Sequence, residues 1–105
     1  MSQEELRPYA TAIPNIIFDL LEKGLISSYS FAVYTFLLSE IDQNKTCHIT
    51  TKKICDNLHI AKSSVAKAKK QLSSPIKELG KTPLLEIFPS PKKPTMFRCN
   101  YAYTR

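Results

Sequence analysis

Four side chains with metal-ligating or nucleophilic chemistry fall close together in this chain: Cys47, His48, Cys55 and His59. Their pattern, C-H-x6-C-x3-H, lacks the two closely spaced pairs that let a zinc ribbon or finger close tetrahedrally. Nor can it be made a Cys–His nucleophile, because no third residue to orient the histidine can be named. Paired carboxylates, a glycine-rich phosphate loop and a dinucleotide fingerprint are all missing, so no enzymatic activity, metal or cofactor is expected. With Cys99 the chain has three cysteines, an odd number without C-x-x-C spacing. They read as reduced core thiols of a cytoplasmic protein.

A second constellation has stronger chemistry. IAKSSVAKAKKQL, Ile60 to Leu72, sets four lysines among small residues. Val65, Ala68 and Leu72 repeat as i, i+3, i+7, which gives a helix one apolar stripe and leaves Lys62, Ser63, Ser64, Lys67, Lys70 and Gln71 to the other side. Ammonium groups bind phosphate or guanine, and serine hydroxyls donate to or accept from base edges, so that side suits a nucleic acid groove. The blander reading is a solvated lysine face. Charge distribution favours the first: Met1 to Asn44 holds two basic and six acidic residues, −4, whereas Lys45 to Arg105 holds thirteen basic and three acidic, +10. A basic segment joined to an acidic one suits a polyanion on one surface and a different partner on the other. Lys69 fits neither the apolar stripe nor the polar side cleanly.

Elements must position these groups. Residues 1–12 lack periodicity and read as a loose arm, leaving 13–105 as one domain. Pro14 opens a helix with Ile16, Ile17, Leu20 and Leu21 on one face, and Gly24 stops it. Ser27 or Ser28 caps the next helix, about Tyr29 to Ile41. It is apolar over most of its circumference, so Tyr29, Phe31, Tyr34 and Phe36 are expected in the core rather than on a stacking platform. Asp42 to Lys45 is a turn and Thr46 to Ile49 a short strand. Thr50 or Thr51 caps a third helix, Lys52 to Leu58, with Ile54, Cys55 and Leu58 inward. His59 to Lys62 is a tight turn, Ser63 or Ser64 caps the fourth helix, and Pro75 ends it. LLEIF, Leu84 to Phe88, and MFRCNYAY, Met96 to Tyr103, are strands joined by a proline-stiffened tip that carries Lys92 and Lys93.

Two short helices crossing at a tight turn, with small Cys55 and Ala68 at the crossing, form a helix-turn-helix pattern. ITTKKICDNLHIAKSSVAKAKKQL, Ile49 to Leu72, resembles the helix-turn-helix of winged-helix DNA-binding domains, with the LLEIF/MFRCNYAY hairpin as its wing. IPNIIFDLLEKGLISSYSFAVYTFLLSEI, Ile13 to Ile41, is similar to the opening helices of phage and plasmid replication initiators and DnaD-type primosome proteins. The resemblance implies an α+β, mainly helical, winged helix-turn-helix fold with about four helices. It also implies sequence-specific binding of double-stranded DNA, for origin recognition.

In that frame Lys62, Ser63, Ser64 and Lys67 face bases and nearby phosphates, with Lys70 and Gln71 further along. Thr50, Thr51 and Lys52 take a phosphate at the start of the third helix, and Lys92 and Lys93 reach the flanking backbone. A small transcriptional regulator, or a self-assembling or replisome-docking domain, is the alternative. A homodimer or replisome protein is thus a possible partner. The chain departs from the family at His59, where glycine is frequent, at Lys69, where leucine is frequent, and in the spacer SSPIKELGKTP. No apolar run approaches the roughly 18 residues of a membrane span, and the polar MSQEELRPY start does not look like a signal peptide. A chain that stops just after the hairpin suggests a domain of something longer.

Overall fold

Two apolar helices open the fold, and two more polar ones follow its first strand. The computed structural model describes residues 13–91 and 94–102. The expected arm, Lys92 and Lys93, and Tyr103 lie outside the described residues. In chain order the elements are α1 (Asn15–Glu22), α2 (Ser28–Leu38), β1 (Thr46–His48), α3 (Thr51–Leu58), α4 (Lys62–Ser73), a 3-10 turn (Lys77–Leu79), β2 (Leu85–Phe88) and β3 (Met96–Cys99). The strands form an antiparallel sheet in the order β1-β3-β2, with Cys47 opposite Phe97 and Ile87 opposite Phe97. This is a small α+β fold, mainly helical.

Helix ends follow local chemistry. Past the end of α1, Gly24 takes φ 73°, and the Gly24 and Leu25 amides reach back to the Leu21 and Leu20 carbonyls. That closes the helix with a left-handed residue, a conformation glycine adopts at no steric cost. Ser27 caps α2 by accepting from the Ser30 amide, and Thr50 caps α3 by accepting from the Lys53 amide. At the far end of α3, His59 stands at φ 56°, ψ 43°, a left-handed conformation at the position where glycine is frequent in the family it resembles. The Cys55 carbonyl accepts there from both the His59 and the Ile60 amide.

The expected serine cap on α4 is corrected. Ala61 occupies the cap position without a side-chain bond, and the helix opens at Lys62. Three residues suffice to turn the chain, because the left-handed His59 reverses its direction so sharply. Ser63 and Ser64 consequently sit inside the first turn. At the other end Ser74 is extended, ψ 142°, as the following Pro75 requires.

The helix α2 is the central element, packed most extensively against α4 and also against α3, β3 and α1. Its buried stripe is Ser30, Val33, Tyr34, Leu37 and Leu38, spaced i, i+3, i+4, i+7, i+8. The core is completed by Ile17 and Leu20 of α1, Ile54 of α3, Val65, Ala68 and Leu72 of α4, and Leu85, Phe97 and Cys99 of the sheet. Each large aliphatic side chain there contributes about 1.5–3 kcal/mol by leaving water. Apolar burial therefore seats α4 and frees its exposed lysines, Lys62, Lys67 and Lys70, from that task.

The fully buried Tyr34 joins helix to sheet. Its hydroxyl lies 3.1 Å from the Leu84 and Tyr101 carbonyl oxygens and accepts from the Tyr101 amide at 3.2 Å. Leu84 and Tyr101 flank the two strands that the sequence joins through the proline-rich tip. Strand pairing stops at Cys99, short of the expected Tyr103; beyond it the Asn100 amide donates to the Leu84 carbonyl as a last ladder bond, and the Asn100 side chain donates to the Pro83 carbonyl. The spacer after α4, read from sequence only as a separator, holds the 3-10 turn and closes on left-handed Gly80 and Lys81.

Candidate nucleic-acid interface

Seen down its axis, α4 divides into three zones. Val65, Ala68 and Leu72 point into the core. Opposite them, Ser63, Ala66, Lys67 and Lys70 are exposed at i, i+3, i+4, i+7 spacing. Lys62 and Lys69 run along the flank beside α3, and Ser64 and Gln71 along the flank beside α2. No acidic residue occurs anywhere in the helix. The result is a convex, positively charged ridge carrying hydroxyls and one small apolar residue at its middle.

The α3 flank accounts for Lys69. Its ammonium donates to the Thr51 hydroxyl at 2.9 Å and lies 5.7 Å from the centre of the Phe97 ring. Burial holds its pKa below the ordinary lysine value, and the neighbouring Lys62 acts in the same direction. Lys69 is thus a strut between α4, the start of α3 and β3, and its charge is turned inward. Beside it Thr51, Lys52, Cys55 and Lys62 line a cleft of about 320 Å³.

On the α2 flank Gln71 has a comparable structural task. Its carboxamide oxygen accepts from the Ser27 amide at 2.9 Å and from the hydroxyl of the fully buried Ser30. Gln71 is itself exposed, and its oxygen ties α4 to the start of α2. Next to it Ser27, Tyr29, Ser64, Lys67, Ala68 and Gln71 line a second cleft, of about 360 Å³.

Of the eleven residues expected at the site, Lys62, Ser63, Ser64, Lys67 and Lys70 share one surface, with Ser64 half-buried at the edge of the second cleft. Lys52 joins them across the first cleft. Thr50 and Thr51 lie at the start of α3, but their hydroxyl oxygens already accept from the Lys53 amide and from Lys69. Each still has its own proton to donate. Lys92 and Lys93 fall outside the described residues.

Two residues on this surface escaped the sequence reading. Ala66 sits at the middle of the ridge, and the outward spacing of Ser63, Lys67 and Lys70 was the signal for it. Tyr29, expected in the core, is instead 53% exposed, at the mouth of the second cleft. The signal for Tyr29 is the phase of α2, whose buried stripe begins one residue later, at a serine.

The metal-like cluster does not assemble. Cys47 is buried and His48 and His59 are exposed, and the described residues contain no group of three or more His, Cys, Asp or Glu able to hold a metal ion. Cys47 and Cys99 are weak nucleophiles, with burial pushing their thiols up to about 11 and about 12. Among the described residues no helix is long and apolar enough to cross a membrane. No protein-family model, curated protein or solved structure matches the chain.

Proposed function

We propose that this chain is a winged-helix domain that binds double-stranded DNA, with α4 in the major groove and the β2–β3 hairpin as the wing. The observation that carries the proposal is the outward ridge of α4, where Ser63, Ala66, Lys67 and Lys70 stand clear of the core with Lys62 beside them. A helix fits the major groove, lysines bind guanine or phosphate, serines bond base edges, and an alanine methyl suits the thymine methyl. Support also comes from the element order, with a short strand before the helix pair and a hairpin after it, and from the sheet order β1-β3-β2.

Within DNA binding, origin recognition by a phage- or plasmid-type replication initiator is the preferred role, through the resemblance of Ile13 to Ile41 to such proteins. A winged-helix transcriptional regulator would use the same ridge. Selection of bound sequences from random duplexes separates the two: repeats beside the protein's own replication gene mark an initiator, and a promoter operator marks a regulator. The direct test is duplex titration of the wild type against a Lys67→Ala/Lys70→Ala variant. The variant is expected to lose at least tenfold in affinity, in line with the counterions two phosphate contacts release. Equal affinity would refute the ridge.

A second role has one specific observation behind it. On the acidic half of the chain Phe18 is 41% exposed and packs against Phe31 with the rings tilted and their centres 5.3 Å apart. An exposed phenylalanine backed by a half-buried one suits a replisome partner or a second copy. Light scattering of Phe18→Ala against wild type tests self-association.

A further inference from the structure

We infer that the cleft between the start of α2 and the near flank of α4 is a strand-binding site, taking one sugar–phosphate unit of duplex DNA between Tyr29 and Lys67. The inference rests on the DNA-binding proposal and adds a contact on the opposite side of α4 from the α3 cleft. Three observations carry it.

The first is placement. Clefts of about 360 and 320 Å³ flank the same ridge, one against α2 and the other against α3. A helix lying in a groove about 12 Å wide has one phosphate backbone on each side. With the ridge in the groove, the α3 cleft meets one strand and the α2 cleft the other.

The second is chemistry. The α2 cleft is lined by Ser27, Tyr29, Ser64, Lys67, Ala68 and Gln71, with no carboxylate among them. It offers a cation, hydroxyls and an aromatic face, which complement a phosphate oxygen next to a deoxyribose ring.

The third is the state of Tyr29. A tyrosine 53% exposed on an otherwise core-forming helix has little packing to lose. Gln71 is meanwhile held on the far wall by Ser27 and Ser30, so the cleft is braced before any ligand arrives.

The test uses the full chain and a fluorescein-labelled mixed-sequence duplex, titrated at roughly 50 and 200 mM salt. Tyr29→Ala is expected to bind roughly five- to tenfold more weakly with the salt slope unchanged, because an uncharged contact is lost. Lys67→Gln should reduce the slope by about one, as for one phosphate. Hydroxyl-radical footprints on a selected site should lose protection on one strand only in Tyr29→Ala. Circular dichroism melts matching wild type confirm that the variant is folded. If wild type binds, Lys62→Ala weakens binding and Tyr29→Ala does not, the cleft inference falls while DNA binding stands. If wild type binds no duplex at the lower salt, both fall.

Discussion

Tyr34 shows how much a single polar atom fixes here. Its hydroxyl satisfies the Tyr101 amide and lies within reach of two carbonyls inside the core, and burial drives its pKa upward. Tyr34→Phe leaves those groups without that partner. Urea unfolding is expected to show a loss of about 1–3 kcal/mol. The buried thiols predict a pH dependence. Cys47 and Cys99 ionise at 9.0 when unperturbed, and burial raises them to about 11 and about 12 in the folded chain. Above about pH 9 the unfolded state therefore releases thiol protons that the folded state keeps. Stability falls as pH rises from there, by up to about 1.4 kcal/mol per unit for each thiol, and levels off above the folded values. Unfolding titrations across that window should show the decline, and Cys99→Ala should flatten it. Lys69 was legible in sequence only as a misfit. Its partners, Thr51 and Phe97, lie 18 and 28 positions away, beyond the reach of any local pattern.

At the scale of elements, periodicity carried the reading well wherever one side of a helix is buried. The stripes of α1 and α4 and the inward Ile54 of α3 fall where their spacing puts them. On α2 it failed at Tyr29, because so many apolar residues in a row conceal which stripe is buried. The strands were placed within a few residues, but β3 ends at Cys99, where the Asn100 side chain bonds the distant Pro83 carbonyl. The turn between α3 and α4 gives a clean prediction. His59 holds a left-handed conformation that costs a residue with a Cβ roughly 1–2 kcal/mol. His59→Gly should accordingly gain about 0.5–1 kcal/mol in denaturant unfolding, part of the relief being offset by glycine's greater freedom when unfolded. The link between α4 and α2 can be tested separately from the ridge. Gln71→Glu keeps an oxygen to accept from Ser27 and Ser30 but adds a negative charge beside the ridge. Melting should change little while duplex affinity drops, as read by thermal unfolding and anisotropy in parallel.

For the molecule as a whole, the division of charge takes on a spatial meaning. The acidic opening residues supply α1 and α2, and the basic remainder supplies the helix pair and the hairpin. Core burial holds α4 in place, so its exposed lysines are available to a polyanion without loss of stability. The central claim is that the ridge meets duplex DNA through about six phosphates. The measurement that tests it most directly is the salt dependence of duplex affinity for the wild-type chain, followed by fluorescence anisotropy. The expected result is a plot of log K against log salt with a slope of roughly −5, made shallower by about one for each ridge lysine replaced by alanine. Absence of binding at low salt, or a slope indifferent to Lys62, Lys67 and Lys70, would contradict it.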